Sequence, residues 1–268
     1  MKVIVLGSSG MLGSTVMNHF IDCGYDVTGS IRSGEFIKEN VFVFDPTASS
    51  TWKNFPKDAD YVVNAIGIIK PFMLDNIKDS IYINAIFPHI LADRCKTFGS
   101  KLIHITTDCV YSGRDGGYNE DALHDALDDY GKSKSLGEPK NCMVIRTSII
   151  GPEIHKNASL VSWVQAQKGK EINGFTNHLW NGITTKTYAE VCHKIIKNDW
   201  YNDDLYHVHA PSIVTKFELV TMINNRYNVG ATINPIPAGV RIDRTLSTKK
   251  DLCEKLMIPE LDDQIAQM

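Results

Sequence analysis

Tyr130 and Lys134 stand four residues apart in the run Asp129-Tyr130-Gly131-Lys132-Ser133-Lys134. On a helix that spacing puts both side chains on one face, close enough for the ammonium to act on the phenol. A phenol titrates near ~10 and is a poor acid–base group at neutral pH, but an adjacent cation stabilises phenolate and brings the pKa toward the working range. Alone, Tyr-x-x-x-Lys is a pattern that any surface helix can carry. Here it follows a glycine-rich turn near the start of the chain and a Thr106-Thr107-Asp108 segment midway. The order is that of a nucleotide site followed by proton-transfer groups.

The elements that must position these groups are legible in outline. Val3-Ile4-Val5-Leu6 reads as a buried parallel strand. It leads into Gly7-Ser8-Ser9-Gly10-Met11-Leu12-Gly13 and an amphipathic stretch from Ser14 to Asp22. In this strand–turn–helix, Gly7 permits the tight turn, Gly10 lets backbone approach a pyrophosphate, and Gly13 lets the helix sit close on the strand. Ser9, Met11 and Leu12 join the three glycines as expected cofactor contacts. The spacing is G-x-x-G-x-x-G rather than G-x-G-x-x-G, so it is the flanking strand and helix that favour nucleotide binding.

A second strand, Asp26 to Ile31, ends in Arg32-Ser33. An NAD site usually has a carboxylate there for the ribose 2′-hydroxyl, whereas Ser30, Arg32 and Ser33 could donate to a 2′-phosphate. NADP(H) is therefore expected, with NAD(H) as the alternative. Asp45, after a third strand, is placed to reach the adenine amino group, and Ala65, Ile66 and Gly67, ending a fourth, to pass the cofactor with their backbone. Asn84 falls in the next helix, Ser80 to Phe98, where it reads equally as a satisfied polar group. A fifth strand, Lys101 to Ile105, runs into Thr106-Thr107-Asp108-Cys109. Alternating strands and helices predict an α/β fold, a Rossmann-type doubly wound parallel sheet with ligands beyond the carboxyl ends of its strands.

Composition limits the alternatives. With 43% apolar residues, 22% charged residues and a formal net charge of −3, the chain offers no electrostatic case for nucleic acid or an anionic membrane. Cys23, Cys95, Cys109, Cys142, Cys192 and Cys253 are scattered without a Cys-x-x-Cys pair, which favours a reduced, cytoplasmic setting. No segment approaches the apolar length of a membrane span. His207 and His209 alternate on an apparent strand, but further ligands are lacking and no metal is expected.

These residues resemble the extended short-chain dehydrogenase/reductase superfamily and, within it, the dTDP-4-dehydrorhamnose reductase family. The family's Ser-Thr-Asp strand end is matched by Thr106-Thr107-Asp108, its Tyr-x-x-x-Lys and following Gly-Glu by Tyr130, Lys134 and Gly137-Glu138, and its Arg-Thr strand by Val144 to Gly151. The resemblance implies NADPH-dependent reduction of the C4 ketone of a nucleotide-diphosphate 4-keto-6-deoxyhexose. Tyr130 would donate a proton to the ketone oxygen and Thr107 would hydrogen-bond it, while Lys134 would lower the Tyr130 pKa and bind the nicotinamide ribose. It also implies a Rossmann domain over residues 1–151, also receiving 183–211, and a smaller substrate-binding lobe over 152–268. A homodimer is compatible with it.

Expected substrate contacts are Thr107, Asp108, Cys109, Trp180, Asn181, Arg241 and Arg244, the arginines suiting a diphosphate. Cys109 has the spacing from Thr107 seen in relatives such as GDP-fucose synthase, which epimerise at C3 and C5 before reducing, although neither His155 nor His178 fits as its partner. A small buried thiol is the plainer reading. The approach to the tyrosine, Ala122 to Asp128, and the tail around Arg241 depart from the family pattern, which bears on sugar and base. Two alternatives follow: a bifunctional 3,5-epimerase/4-reductase, and a non-catalytic module like the regulatory β subunit of methionine adenosyltransferase.

Overall fold

A computed structural model describes residues 1–34, 39–153 and 158–268. His155, weighed above as a partner for Cys109, lies outside the described residues.

The chain opens with β1 (Lys2–Leu6), whose last four residues are buried, α1 (Met11–Asp22), β2 (Asp26–Ile31), β3 (Val41–Val43) and β4 (Tyr61–Asn64). A helical stretch follows as α2 (Ile77–Ile81), a π-helical turn over Tyr82–Ile86, and α3 (Phe87–Phe98), which ends on left-handed Gly99. Then come β5 (Lys101–Thr107), α4 (Asp129–Leu136) and β6 (Met143–Thr147). The central sheet has seven strands in the order β3-β2-β1-β4-β5-β6 followed by β11 (Leu205–His207). Neighbours run parallel, with Val3 opposite both Val27 and Tyr61. This is the expected Rossmann order, in which the strand sequence reverses at β1. Ile4, Leu6, Phe44, Val62, Phe87, Leu91 and Leu102 form the core of this part.

After β6 the chain forms β7 (Ile149–Ile150), α5 (Leu160–Gln165), β8 (Glu171–Phe175), β9 (His178–Trp180), β10 (Ile183–Thr184) and α6 (Thr185–Lys197). Past β11 it forms β12 (Val214–Thr215), α7 (Lys216–Arg226), β13 (Thr232–Ile236), β14 (Ile242–Asp243), α8 (Leu252–Leu256) and α9 (Leu261–Ala266). Half of the stretch from Phe175 to Gly182 is strand: β8 pairs parallel with β13, and β9 pairs with β12 and β14. A capping box between Thr215 and Glu218 starts α7, satisfying two of the backbone N–H groups at its first turn. Val161, Val164, Trp180, Leu219, Ile223 and Leu261 make a second core.

Two compact units result, and each draws on separated segments. One comprises Met1–Thr106, Asp128–Ile145 and Ala189–Leu205; the other comprises Thr107–Leu127, Arg146–Tyr188 and Tyr206–Met268. Residues 107–127, assigned from sequence to the nucleotide domain, fall in the second unit because their partners are distant in sequence. Tyr118 bridges to Leu246, Gly117 N–H donates to Thr245 Oγ1 at 2.9 Å, and the Tyr111 carbonyl accepts from Arg244 Nε at 2.8 Å.

Candidate active site

The glycine turn leaves β1 through Gly7, whose φ of +76° is one a side chain rarely tolerates. Gly10 N–H closes the turn on Gly7 O at 2.9 Å. A Cβ on Gly13 would lie 2.1 Å from Gly7 O, so α1 sits against the strand end only because position 13 has no side chain. The turn is tied to β2 by Ser30. Gly7 N–H donates to Ser30 Oγ at 3.0 Å, and Ser8 donates to the Ser30 carbonyl through its N–H and its hydroxyl. Ser30, considered above for a 2′-phosphate, is buried and engaged in holding the turn. Gly10, the N-cap of α1, supplies no side-chain cap, and the first turn carries no acidic residue. A twelve-residue helix whose uncapped N-terminus opens beside exposed Ser9 and Gly10 suits a pyrophosphate, through its N–H groups and its dipole.

Arg32, one residue beyond β2, donates from Nε to Asp45 Oδ2 at 3.0 Å. Asp45 also accepts from the Thr47 N–H and hydroxyl. Burial works against its charge, but the Thr47 and Arg32 hydrogen bonds outweigh it and hold the carboxyl below its usual range. The Arg32 side chain remains 66% exposed. Beyond β4, Ala65 N–H donates to Leu6 O and Ile66 N–H to Asn64 Oδ1, both at 3.1 Å. With Oδ1 so used, Asn64 turns its amide nitrogen to His104 Nδ1 at 3.0 Å. A Cβ on Gly7 would meet Ile66 Cγ1 at 3.1 Å, so this backbone lies directly against the glycine turn, with Gly67 exposed next to it.

The helix that carries Tyr130 and Lys134 is fixed at both ends. Asp128 caps it, its Oδ1 accepting from Gly131 N–H at 2.9 Å, and its other oxygen pairs with Lys70. Past the far end, a Cβ on Gly137 would sit 1.9 Å from Asn84 O, in the π-helical turn. Asn84 is fully used: its amide accepts from Ile68 N–H, donates to Ile68 O, each at 2.9 Å, and donates to Ser133 Oγ at 3.3 Å. Its role is to hold the segment after β4 and α4 together, and π-turns recur at such functional junctions. Lys134 is 5% exposed and donates to Ile105 O at 3.2 Å. Burial lowers its pKa to about 8, partly opposed by Glu138. Tyr130, one turn earlier, is half-buried.

In the second unit Thr107, the last residue of β5, caps the short 3-10 turn Asp108–Val110. Its hydroxyl donates to Asp108 Oδ1 at 3.0 Å and accepts from Cys109 N–H at 3.2 Å. Its neighbour Thr106 is buried, with no hydrogen-bond partner for Oγ1. Burial raises the Asp108 pKa although Thr107, Arg244 and Lys216 oppose it. Burial, reinforced by Asp108, pushes the Cys109 thiol up to about 12. Cys109 is thus held as a thiol, the opposite of what a carbon-acid base needs. Lys216, which the sequence reading did not select, faces this group; its ammonium lies 5.1 Å from the Trp180 ring centroid, and burial lowers its pKa. Nothing in its sequence context marks it, since it is simply the residue after a helix cap.

The remaining expected substrate contacts are variously engaged. Trp180 is 4% exposed and donates to Ser148 Oγ at 2.8 Å. Asn181 uses both ends of its amide on the Leu246 backbone, at 2.7 and 2.9 Å. These are packing and bracing roles. Arg241 pairs with Asp243 at 2.7 Å and keeps a half-exposed side chain. His178 approaches Val240 O rather than Cys109. His207 is buried between Arg146, 2.7 Å from its Nε2, and the Ser247 carbonyl, 2.8 Å from its Nδ1. Arginine can only donate, so Nε2 accepts and the proton sits on Nδ1. His209 lies beyond the end of β11.

Comparison with known proteins gives the family and the fold. The family profile described as "RmlD substrate binding domain" matches residues 1–244. The spore coat polysaccharide biosynthesis protein SpsK of Bacillus subtilis is 26% identical over 83% of this chain and 78% of its own length. Methionine adenosyltransferase 2 subunit beta of Danio rerio is 25% identical over 95% of this chain and 84% of its own. Among solved structures, dTDP-4-dehydrorhamnose reductase from Bacillus anthracis in complex with NADP superposes with a TM-score of 0.78 at 20% identity, covering 99% of this chain and 97% of that one. At that identity the likeness shows the shared fold. The profile, which spans most of the chain, shows more: this protein belongs to the RmlD family, that of the dTDP-4-dehydrorhamnose reductases.

Proposed function

We propose that the protein is an NADPH-dependent reductase of the C4 ketone of a nucleotide-diphosphate 4-keto-6-deoxyhexose, making a deoxysugar donor for glycan synthesis. The observation that carries this reading is Lys134, a buried ammonium with a pKa of about 8 on the helix face that also carries Tyr130. Burying a cation is costly, and a structural lysine seldom bears that cost when a neutral residue would pack as well. Beside a phenol, the same cation favours the phenolate that remains once a proton has been donated.

When bound, the dinucleotide would supply the hydride that adds to the ketone carbon. Gly7, Gly10, Gly13 and the α1 N-terminus would hold its pyrophosphate, Arg32 the 2′-phosphate, and Lys134 the ribose hydroxyls. Negative charge then develops on the ketone oxygen, where Tyr130 delivers its proton and the Thr107 hydroxyl donates a hydrogen bond. To do so, Thr107 must turn its donor from Asp108 to the substrate. Arg244 and Arg241 would meet the substrate diphosphate.

A Tyr130→Phe protein should bind NADPH as the parent does and oxidise none of it when given the keto-sugar. Unchanged turnover in that variant would remove the mechanism. The second reading, a regulatory module, is favoured by the likeness to the methionine adenosyltransferase β subunit. It predicts that the parent protein also leaves NADPH unoxidised across dTDP-, UDP- and GDP-linked keto-sugars. The epimerase reading is disfavoured by the protonated Cys109. It would be revived by solvent deuterium entering the sugar ring in the parent but not in Cys109→Ser.

A further inference from the structure

His19 and Cys23 lie four apart at the C-terminal end of α1, and His193 reaches them from α6, all within the first unit. One ligand atom from each comes within 4.8 Å of the other two. The Cys23 Sγ to His19 Nε2 distance is 3.7 Å. Tetrahedral zinc, with arms of ~2.3 Å to sulfur and ~2.05 Å to nitrogen, requires an S···N edge of about 3.6 Å. The pair is therefore already spaced for a shared ion. The His19 and His193 rings meet edge to face with centroids 5.6 Å apart, which lets both nitrogens turn toward a common point.

Two further features suit a cation. His193 Nδ1 is held by the Tyr25 hydroxyl at 3.1 Å, which fixes the ring and leaves Nε2 as the coordinating atom. Such a partner on the second ring nitrogen is a regular companion of metal-bound histidine. The three ligands also gather where the α1 dipole presents its negative end.

We infer that His19, Cys23 and His193 form a binding site for a borderline-soft divalent ion of the zinc class, fastening the end of α1 to α6. One thiolate and two imidazoles disfavour magnesium and calcium, which take oxygen ligands. Three protein ligands at a partly exposed position leave the fourth place to water. Because α1 also carries the uncapped N-terminus proposed for the pyrophosphate, an ion here would steady that helix from its opposite end. The site stands whether or not the reductase reading does.

Cobalt(II) alone is the probe, titrated into the full-length protein under a non-thiol reductant. One equivalent should bind, with a thiolate-to-cobalt charge-transfer band in the near ultraviolet and visible bands of a tetrahedral ion. Cys23→Ser should abolish the charge-transfer band, and His193→Ala should weaken binding at least tenfold. Tyr25→Phe, which keeps every ligand, should weaken it by roughly tenfold or more. Cys23 is exposed and His193 and Tyr25 are half-buried, and unaltered far-ultraviolet circular dichroism would verify that each variant is folded. A parent protein without the charge-transfer band, or a band that persists in Cys23→Ser, overturns the proposal.

Discussion

Arg32 Nε and Asp45 Oδ2 meet at 3.0 Å, joining the ends of two adjacent strands beside the glycine turn. Asp45, expected from the sequence to reach the adenine amino group, is here turned onto an arginine. That arginine keeps donors for another anion, since it is engaged through Nε and its side chain is 66% exposed. As an exposed ion pair it contributes little to stability, of the order of 0–1 kcal/mol. Its value would lie in holding the guanidinium in place.

Arg32→Ala should therefore raise the dissociation constant for NADPH by about tenfold or more while leaving that for NADH nearly unchanged, since a charge-assisted contact to phosphate is worth about 1.5–3 kcal/mol. Calorimetric titration with both coenzymes would measure it. Equal losses for the two would place the 2′-phosphate elsewhere.

Lys134 links stability to pH in an unusual direction. Its folded pKa is about 8 against 10.5 for an unperturbed lysine. Below pH 8 both folded and unfolded chains carry the proton, and the cost of the buried charge is fully present. Between about 8 and 10.5 only the unfolded chain holds it, so this group makes stability rise with pH. Lys134→Met should unfold at higher denaturant concentration than the parent at pH 7, by up to about 3 kcal/mol, with the gap closing above pH 8. Turnover should be lost in the same variant. A variant less stable at pH 7 would show that the ammonium is repaid by its bond to Ile105.

Gly137→Ala tests how tightly α4 is held. The new methyl would collide with Asn84 O, which is backbone and cannot swing aside. Overpacking of this kind costs about 1–3 kcal/mol. Because the shift moves Tyr130 and Lys134, kcat should fall more than NADPH affinity. Steady-state kinetics with calorimetric NADPH binding would separate the two.

His207 should make the protein acid-sensitive. Burial, with Arg146 beside it, lowers its pKa from 6.5 to about 4, so it is folded in as the neutral ring. The stabilisation is present above 6.5 and is lost as pH falls through the window down to 4, where the unfolded chain binds the proton first. Over that window it amounts to about 3 kcal/mol. Urea denaturation of His207→Gln at pH 7 and pH 4.5 should show a smaller drop than the parent shows.

The strand–turn–helix at Gly7 and the Tyr130–Lys134 spacing were readable because their signals are local: apolar runs, glycine positions and an i, i+4 pair. That the central sheet is parallel followed from the alternation of strands and helices. What escaped the sequence depends on partners far along the chain. Trp180 and Asn181 look like ligand-binding groups by type, yet Asn181 is consumed by the backbone of Leu246, 65 residues on. Ser30 is chemically fit for a phosphate, but its orientation toward Gly7 is set by strand register, which composition does not reveal. Lys216 becomes notable only once β12 and α7 bring it to Asp108 and Cys109.

The weaving of the chain limits how the protein can be taken apart. Residues 189–205 return late to the first unit, and β11 forms the edge of the central sheet beyond β6. A fragment stopping near Gly151 would leave β6 without its outer neighbour, an open edge that invites aggregation. Grafting a foreign second unit onto this scaffold would thus need five splice points, not one.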